Sequence, residues 1–76
     1  MNKENILFGL NGFKSLINSK DYKVKKVLIE TNSIASRYLH SIRLDKEITK
    51  RLIFLNRKEF SNFSKNNRTQ GLIAHF

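Results

Sequence analysis

The sequence predicts an α/β domain in which strands and helices alternate, β-α-β-α-β-α-β, with a mostly parallel sheet covered by helices. Three observations lead there. Four short apolar runs recur along the chain, at 6–8, 25–30, 52–55 and 71–76. The segments between the first three and beyond the third carry apolar residues at helical spacing. Each of these segments opens on Asn, Ser or Thr, the residues that cap helices.

Ile6-Leu7-Phe8 reads as a short buried strand that stops at Gly9, where the chain turns. Asn11 then caps a helix whose Phe13, Leu16 and Ile17 share one face, with Lys14 off that stripe. Asn18 to Asp21 reads as a loop. Lys25 to Glu30, apolar in the middle and charged at the ends, fits an interior strand buried on both faces. Thr31-Asn32-Ser33 supplies caps for a second helix, in which Ile34, Tyr38, Leu39 and Ile42 form the inner stripe and Arg37 and Ser41 the outer face. Residues 43–50 read as a helix end plus a loop. Leu52 to Leu55 is the third strand. Asn56, with Glu59 three residues on, has the spacing of a capping box ahead of a short helix carrying Phe60 and Phe63 on one face. Asn66 to Gln70 forms a loop, and Gly71 to Phe76 the last strand, with Ile73 and His75 on one face and Ala74 and Phe76 on the other. Gly9 and Gly71 stand at strand–loop junctions, where backbone freedom or a close backbone approach calls for glycine.

Seventy-six residues allow one small domain, able to bury about 60% of the surface its unfolded chain exposes. The lack of cysteine excludes disulfides, thiolate metal sites and thiol nucleophiles, and fits a reducing cytosol. No apolar run approaches the roughly 20 residues that cross a bilayer. Residues 1–5 read as a flexible N-terminus with neither a signal-peptide core nor transit-peptide character. The expectation is a soluble, cytoplasmic protein with no membrane partner.

Charge is the strongest compositional signal: 15 Lys and Arg against 6 Asp and Glu give +9, the balance expected of a nucleic-acid partner. Ten Lys, nine Asn and eight Ile, the residues of A/T-rich codons, also fill 27 of the 76 positions, so codon bias is the competing reading of the Lys excess. Catalytic constellations are missing. The sequence has no Gly-rich phosphate loop, no G-x-S-x-G and no H-E-x-x-H. The carboxylates lie beside Lys or Arg as solvated ion pairs. His40 and His75 are 35 positions apart and make a poor metal site. No catalytic residue, cofactor or metal is therefore expected in this chain.

Basic residues cluster at Lys20, Lys23, Lys25 and Lys26, at Arg57 and Lys58, and at Lys65 and Arg68. A solvated surface is the plain reading. Phosphate binding becomes the better one if these loops meet at one sheet edge, since neutralised phosphates release counterions. Phe8, Phe13, Phe54, Phe60 and Phe63 are assigned to the core rather than to base stacking. Tyr22 is the one aromatic in a basic loop, where it can stack on a base.

The ordered segments "LFGLNGFKSLI", "VKKVLIE", "LIFLNRKEFSNFS" and "RTQGLIAHF" resemble the N-terminal substrate-binding domain of the SpoU/TrmH family of RNA 2'-O-ribose methyltransferases. In that family a G-x-(N/H)-x-(V/F) turn opens the first helix, an (E/K)-V-(F/L)-(I/L) strand follows, and an H-Q-G-(I/L)-(I/V/A)-A segment ends the domain. Gly9, Asn11 and Phe13 match the first, Lys26 to Ile29 the second, and Thr69-Gln70-Gly71-Leu72-Ile73-Ala74 the third, with Thr69 where the family carries His. The match spans residues 6 to 76. It implies a three-layer α/β/α sandwich similar to ribosomal proteins that bind kinked RNA. A linker and a knotted catalytic domain would continue past Phe76 and hold the S-adenosylmethionine pocket.

The expected activity is recognition of rRNA, ahead of tRNA, by a domain that is not catalytic by itself. Asn11, Lys14, Lys23, Lys25, Arg57, Lys58, Arg68, Thr69 and Gln70 are the candidate RNA contacts. The alternatives are a subunit-interface module, whose last strand would offer a free edge for a homodimer, and a stand-alone ribosome-associated RNA-binding protein.

Overall fold

The computed structural model describes residues 5–18, 23–64 and 69–76. The chain forms β1 (Ile6–Phe8), α1 (Leu10–Ile17), β2 (Lys26–Glu30), α2 (Ile34–Ser41), α3 (Lys46–Thr49), β3 (Leu52–Leu55), α4 (Arg57–Ser64) and β4 (Leu72–His75). It is a small mixed α/β domain whose four strands make one sheet in the order β1-β4-β2-β3.

Only β2 and β3 pair in parallel; β4 runs antiparallel to both β1 and β2. The expectation of a mostly parallel sheet is thereby corrected. Helical crossovers keep β1, β2 and β3 pointing one way and leave a slot between β1 and β2. The turn Thr69-Gln70-Gly71 brings the chain to the carboxyl end of that slot, with the Glu30 N–H donating to the Gly71 carbonyl at 2.9 Å and the Gly9 N–H to Leu72 at 3.0 Å. From there β4 can only run back against its neighbours. The last strand is therefore interior, and the free edge expected of it belongs instead to β1 and β3.

Alternation along the central strands splits the core in two. Val27 and Ile29 of β2 and Leu72 and Ala74 of β4 face α1 and α2, where they pack with Leu10, Phe13, Leu16, Ala35 and Leu39. Leu28 and Ile73 face the opposite way, onto Phe60 of α4. β2 is buried on both faces as its composition predicts, and His75 is buried beside Ile73 in register with Lys26.

Four local readings are corrected. The 43–50 segment contains a further short helix, α3, capped by the Asp45 carboxylate, which accepts the Glu47 N–H. Ile34 is 60% exposed, and Ala35 takes the inner position on α2. Of the five phenylalanines assigned to the core, Phe13 and Phe60 are buried, while Phe8, Phe54 and Phe63 are 37%, 44% and 50% exposed. Pairing also begins before the first strand: Asn5 exchanges both backbone hydrogen bonds with Phe76 at 2.9 Å. Among the described residues, no helix is long and apolar enough to cross a membrane.

Candidate nucleic-acid interface

Three helices begin at one end of the sheet. The carboxyl ends of β1, β2 and β3 lead directly into α1, α2 and α4, and an α-helix has no intrahelical acceptor for its first amides. The turn before β4 lies among these starts and satisfies several of them. The Leu10 N–H donates to the Gln70 side-chain carbonyl at 2.9 Å, and the Ala35 N–H to the Gln70 backbone carbonyl at 3.1 Å. Gln70 therefore ties the first turn of α1 to the first turn of α2. Asn11, expected to cap α1, instead lies within its first turn, because Gly9 occupies the cap position and has no side chain to offer.

The second helix is capped by Ser33, whose hydroxyl donates to the Glu30 carbonyl at 2.6 Å and accepts the Ser36 N–H at 3.1 Å. Gly71 packs directly on this serine; with φ at +89°, a Cβ there would overlap the Ser33 side chain. The fourth helix carries the anticipated capping box: the Glu59 N–H donates to Asn56 Oδ1 at 2.7 Å, and the Asn56 N–H to Glu59 Oε1 at 3.4 Å. The first-turn amides of Asn11 and Gly12, Ile34, and Arg57 and Lys58 have no acceptor among the described residues, and each lies at the positive end of a helix dipole.

Two adjoining clefts open at this end. One, of about 390 Å³, is lined by Glu30, Asn32, Ser33, Ile34, Arg37 and the 69–71 turn. The other, of about 520 Å³, is lined by Glu30, Thr31, Asn32, Asn56 and Arg57. They share Glu30 and Asn32. Arg37, Arg57 and Lys58 are exposed, and the sole ion pair among the described residues, Lys50 to Glu47 at 4.0 Å, lies elsewhere. Among the described residues, no carboxylate lies within salt-bridge distance of these cations, although Glu30 lies between the clefts.

The candidate contacts divide accordingly. Asn11, Arg57, Lys58, Thr69 and Gln70 come together at this end. Thr69 is buried, and its hydroxyl accepts the Gly71 N–H at 3.1 Å, so its place is inside the turn. Lys14 lies along α1 with its ammonium 4.5 Å from the Tyr38 ring centroid, a cation–π contact joining α1 to α2. Lys23 and Lys25 are at the opposite end of β2. Five residues of strand separate the two ends by about 15 Å, beyond a Debye length of about 8 Å at physiological salt. Lys23 instead faces a mixed-charge cleft with Asp45, Glu47 and Arg51. Arg68, like Lys20, Tyr22 and Lys65, falls outside the described residues.

Arg37, Asn32 and Ser33 were not among the candidates. Thr31-Asn32-Ser33 reads in sequence as a helix cap and Arg37 as an outer-face residue, and both descriptions hold. The missing signal was spatial: the cap string sits against a turn about 40 residues later in the chain. Among the described residues, no group of three or more His, Cys, Asp or Glu side chains gathers to hold a metal. No protein-family model, curated protein or solved structure matches the chain.

Proposed function

We propose that this chain is an RNA-binding substrate-recognition domain of a SpoU/TrmH-type RNA 2'-O-methyltransferase, with the three-layer α/β/α arrangement of ribosomal proteins that bind kinked RNA. The observation that carries the reading is the gathering of Arg37, Arg57, Lys58 and the first turns of three helices around the Thr69-Gln70-Gly71 turn. Helix amides and guanidinium groups both suit phosphate oxygens. Two neighbouring clefts accept two phosphates of one bent strand, so the domain holds RNA by backbone shape, with little reading of base sequence. Methyl transfer and S-adenosylmethionine binding belong to the catalytic domain of the parent enzyme, and rRNA ranks ahead of tRNA as the substrate.

A salt titration of binding to folded rRNA fragments tests this. Saturable binding is expected, with log K falling linearly against log salt as counterions are released. Lack of binding at low salt to any folded fragment overturns the reading.

A further inference from the structure

β3 forms an outer edge of the sheet. The parallel ladder to β2 runs from the Val27 N–H, donating to the Arg51 carbonyl at 2.9 Å, to the Thr31 N–H, donating to Leu55 at 2.9 Å. In a parallel ladder the residues facing the partner strand alternate. Odd-numbered residues of β3 therefore face β2, and the N–H and C=O groups of Leu52 and Phe54 point away from the sheet. Natural edge strands are blunted by shortness or by a charge, a proline or a bulge within the strand. β3 is short, at four residues, but Leu52-Ile53-Phe54-Leu55 has none of the other three devices, and Ile53 and Phe54 are 41% and 44% exposed.

Beside this edge, on the α2 side of the sheet, a largely apolar groove of about 380 Å³ is lined by Leu39, His40, Ile42, Leu44, Thr49, Leu52 and Phe54. On its rim the His40 ring nitrogen Nδ1 lies 2.7 Å from the Ser36 carbonyl, and the ring is 6.0 Å from that of Phe54. A strand laid along β3 would direct alternate side chains into this groove.

Charge selects the occupant. Lys50 and Arg51 precede the strand, Arg57 and Lys58 follow it, and Arg43 and Lys46 lie in the adjoining loop and helix, all exposed. Three carboxylates stand among these six cations, Asp45 and Glu59 accepting backbone amides and Glu47 beside Lys50, so the surroundings of the edge remain net positive. A second copy of this chain, paired antiparallel through β3, would set Lys50 and Arg51 against Arg57 and Lys58, and like charges directly opposite are destabilising. Nucleic acid matches the edge less well, because its donors, the 2'-hydroxyls and base edges, do not alternate with acceptors at the repeat of a strand backbone as the Leu52 and Phe54 groups require. We propose that the β3 edge receives an extended acidic segment of a partner protein as a fifth strand, with an apolar side chain of that segment seated in the groove.

The test uses the full chain and a fluorescent peptide of about eight residues, a long strand by usual lengths, with alternating Val and Leu in the centre and acidic residues at both ends. Saturable binding is expected. Methylating alternate backbone nitrogens of the peptide, on the side that meets β3, should weaken it about tenfold or more. Exchanging the acidic ends for lysines should weaken it to a similar degree. On the unaltered protein, hydrogen exchange should show the Leu52 and Phe54 amides becoming protected in the complex, a readout that does not depend on any variant folding. Equal binding of the methylated and unmethylated peptides, unchanged exchange at those amides, or dimers that the acidic peptide fails to displace would overturn the proposal.

Discussion

The Gln70 side-chain carbonyl accepts the Leu10 N–H at 2.9 Å across 60 residues of chain. Its backbone carbonyl takes the Ala35 N–H at 3.1 Å, so one residue accepts a first-turn amide from each of two helices. Gln70 holds a left-handed φ of 54° to do so, a conformation that costs a non-glycine residue about 1–2 kcal/mol. Gln70→Ala keeps the backbone bond and that strain but loses the cap of α1. It should lower stability by about 1–2 kcal/mol, read as a fall in urea midpoint at constant slope. Gln70→Glu preserves the acceptor and adds a negative charge at a helix start, so it should be at least as stable as the parent. Matching midpoints for the Ala variant and the parent would show that the bond contributes nothing.

Gly71 makes the stronger demand. A methyl group there meets the Ser33 hydroxyl and Cβ, and φ at +89° is disfavoured for any other residue. Gly71→Ala should therefore cost at least about 3 kcal/mol, since overlap and backbone strain add. Gly9→Ala shares the positive φ, 93°, but its nearest contact would be an ordinary 3.4 Å from Gln70 Oε1. With ψ at 164° as well, it should cost about 1–3 kcal/mol from backbone strain alone, still less than strain and overlap together. Thermal unfolding of the two variants side by side checks the order, and the reverse order would contradict the packing described.

Phe60 and Phe63 separate what spacing can reveal from what it cannot. Both lie on the face of α4 that helical periodicity marks as inner, yet Phe60 is 3% exposed against Leu28 and Ile73, while Phe63 is 50% exposed. Phe60→Ala should destabilise by about 3–4 kcal/mol, the usual cost of emptying a buried aromatic site. Phe63→Ala, which removes a half-exposed ring, should cost only about 1 kcal/mol. Chemical denaturation of both variants measures the difference directly.

The same contrast governs the rest of the fold. Elements whose signal is local were legible: the Val27-Leu28-Ile29 run declares a strand buried on both faces, Ser33 a helix start, and Asn56 with Glu59 a capping box. The sheet order was not legible, because β4 slots between β1 and β2 through bonds from Gly9 and Glu30 to residues about 40 to 60 positions away. Strand and helix alternation alone carries no record of that direction. Ile34 and Phe54 were misplaced for a related reason: period identifies a face, but how far the neighbouring layer extends over it depends on where the other elements end. At the candidate interface, Arg57 and Lys58 were recognisable as basic residues at a helix start, whereas Arg37 became relevant only when the 69–71 turn was placed beside it.

Proximity to the two clefts predicts which cations matter for RNA. Arg57 lines one cleft, Arg37 the other, and Lys58 follows Arg57 in the first turn of α4. Each of Arg37→Ala, Arg57→Ala and Lys58→Ala should weaken binding to folded RNA about three- to tenfold and reduce the salt slope by about 1, the signature of one lost phosphate contact. Alanine is a good helix former, so these exposed positions should retain the fold. Lys23→Ala removes the same charge from the far end of the sheet and should leave affinity within about twofold, because screening attenuates its field over that distance. Glu30 is shared by both clefts and opposes phosphate, so Glu30→Gln should strengthen binding about two- to fivefold at physiological salt, a gain of up to about 1 kcal/mol from one removed repulsion. Fluorescence anisotropy at several salt concentrations distinguishes the variants. If Lys23→Ala lowers the slope as much as Arg57→Ala does, binding follows net charge rather than the clefts, and the interface is misplaced.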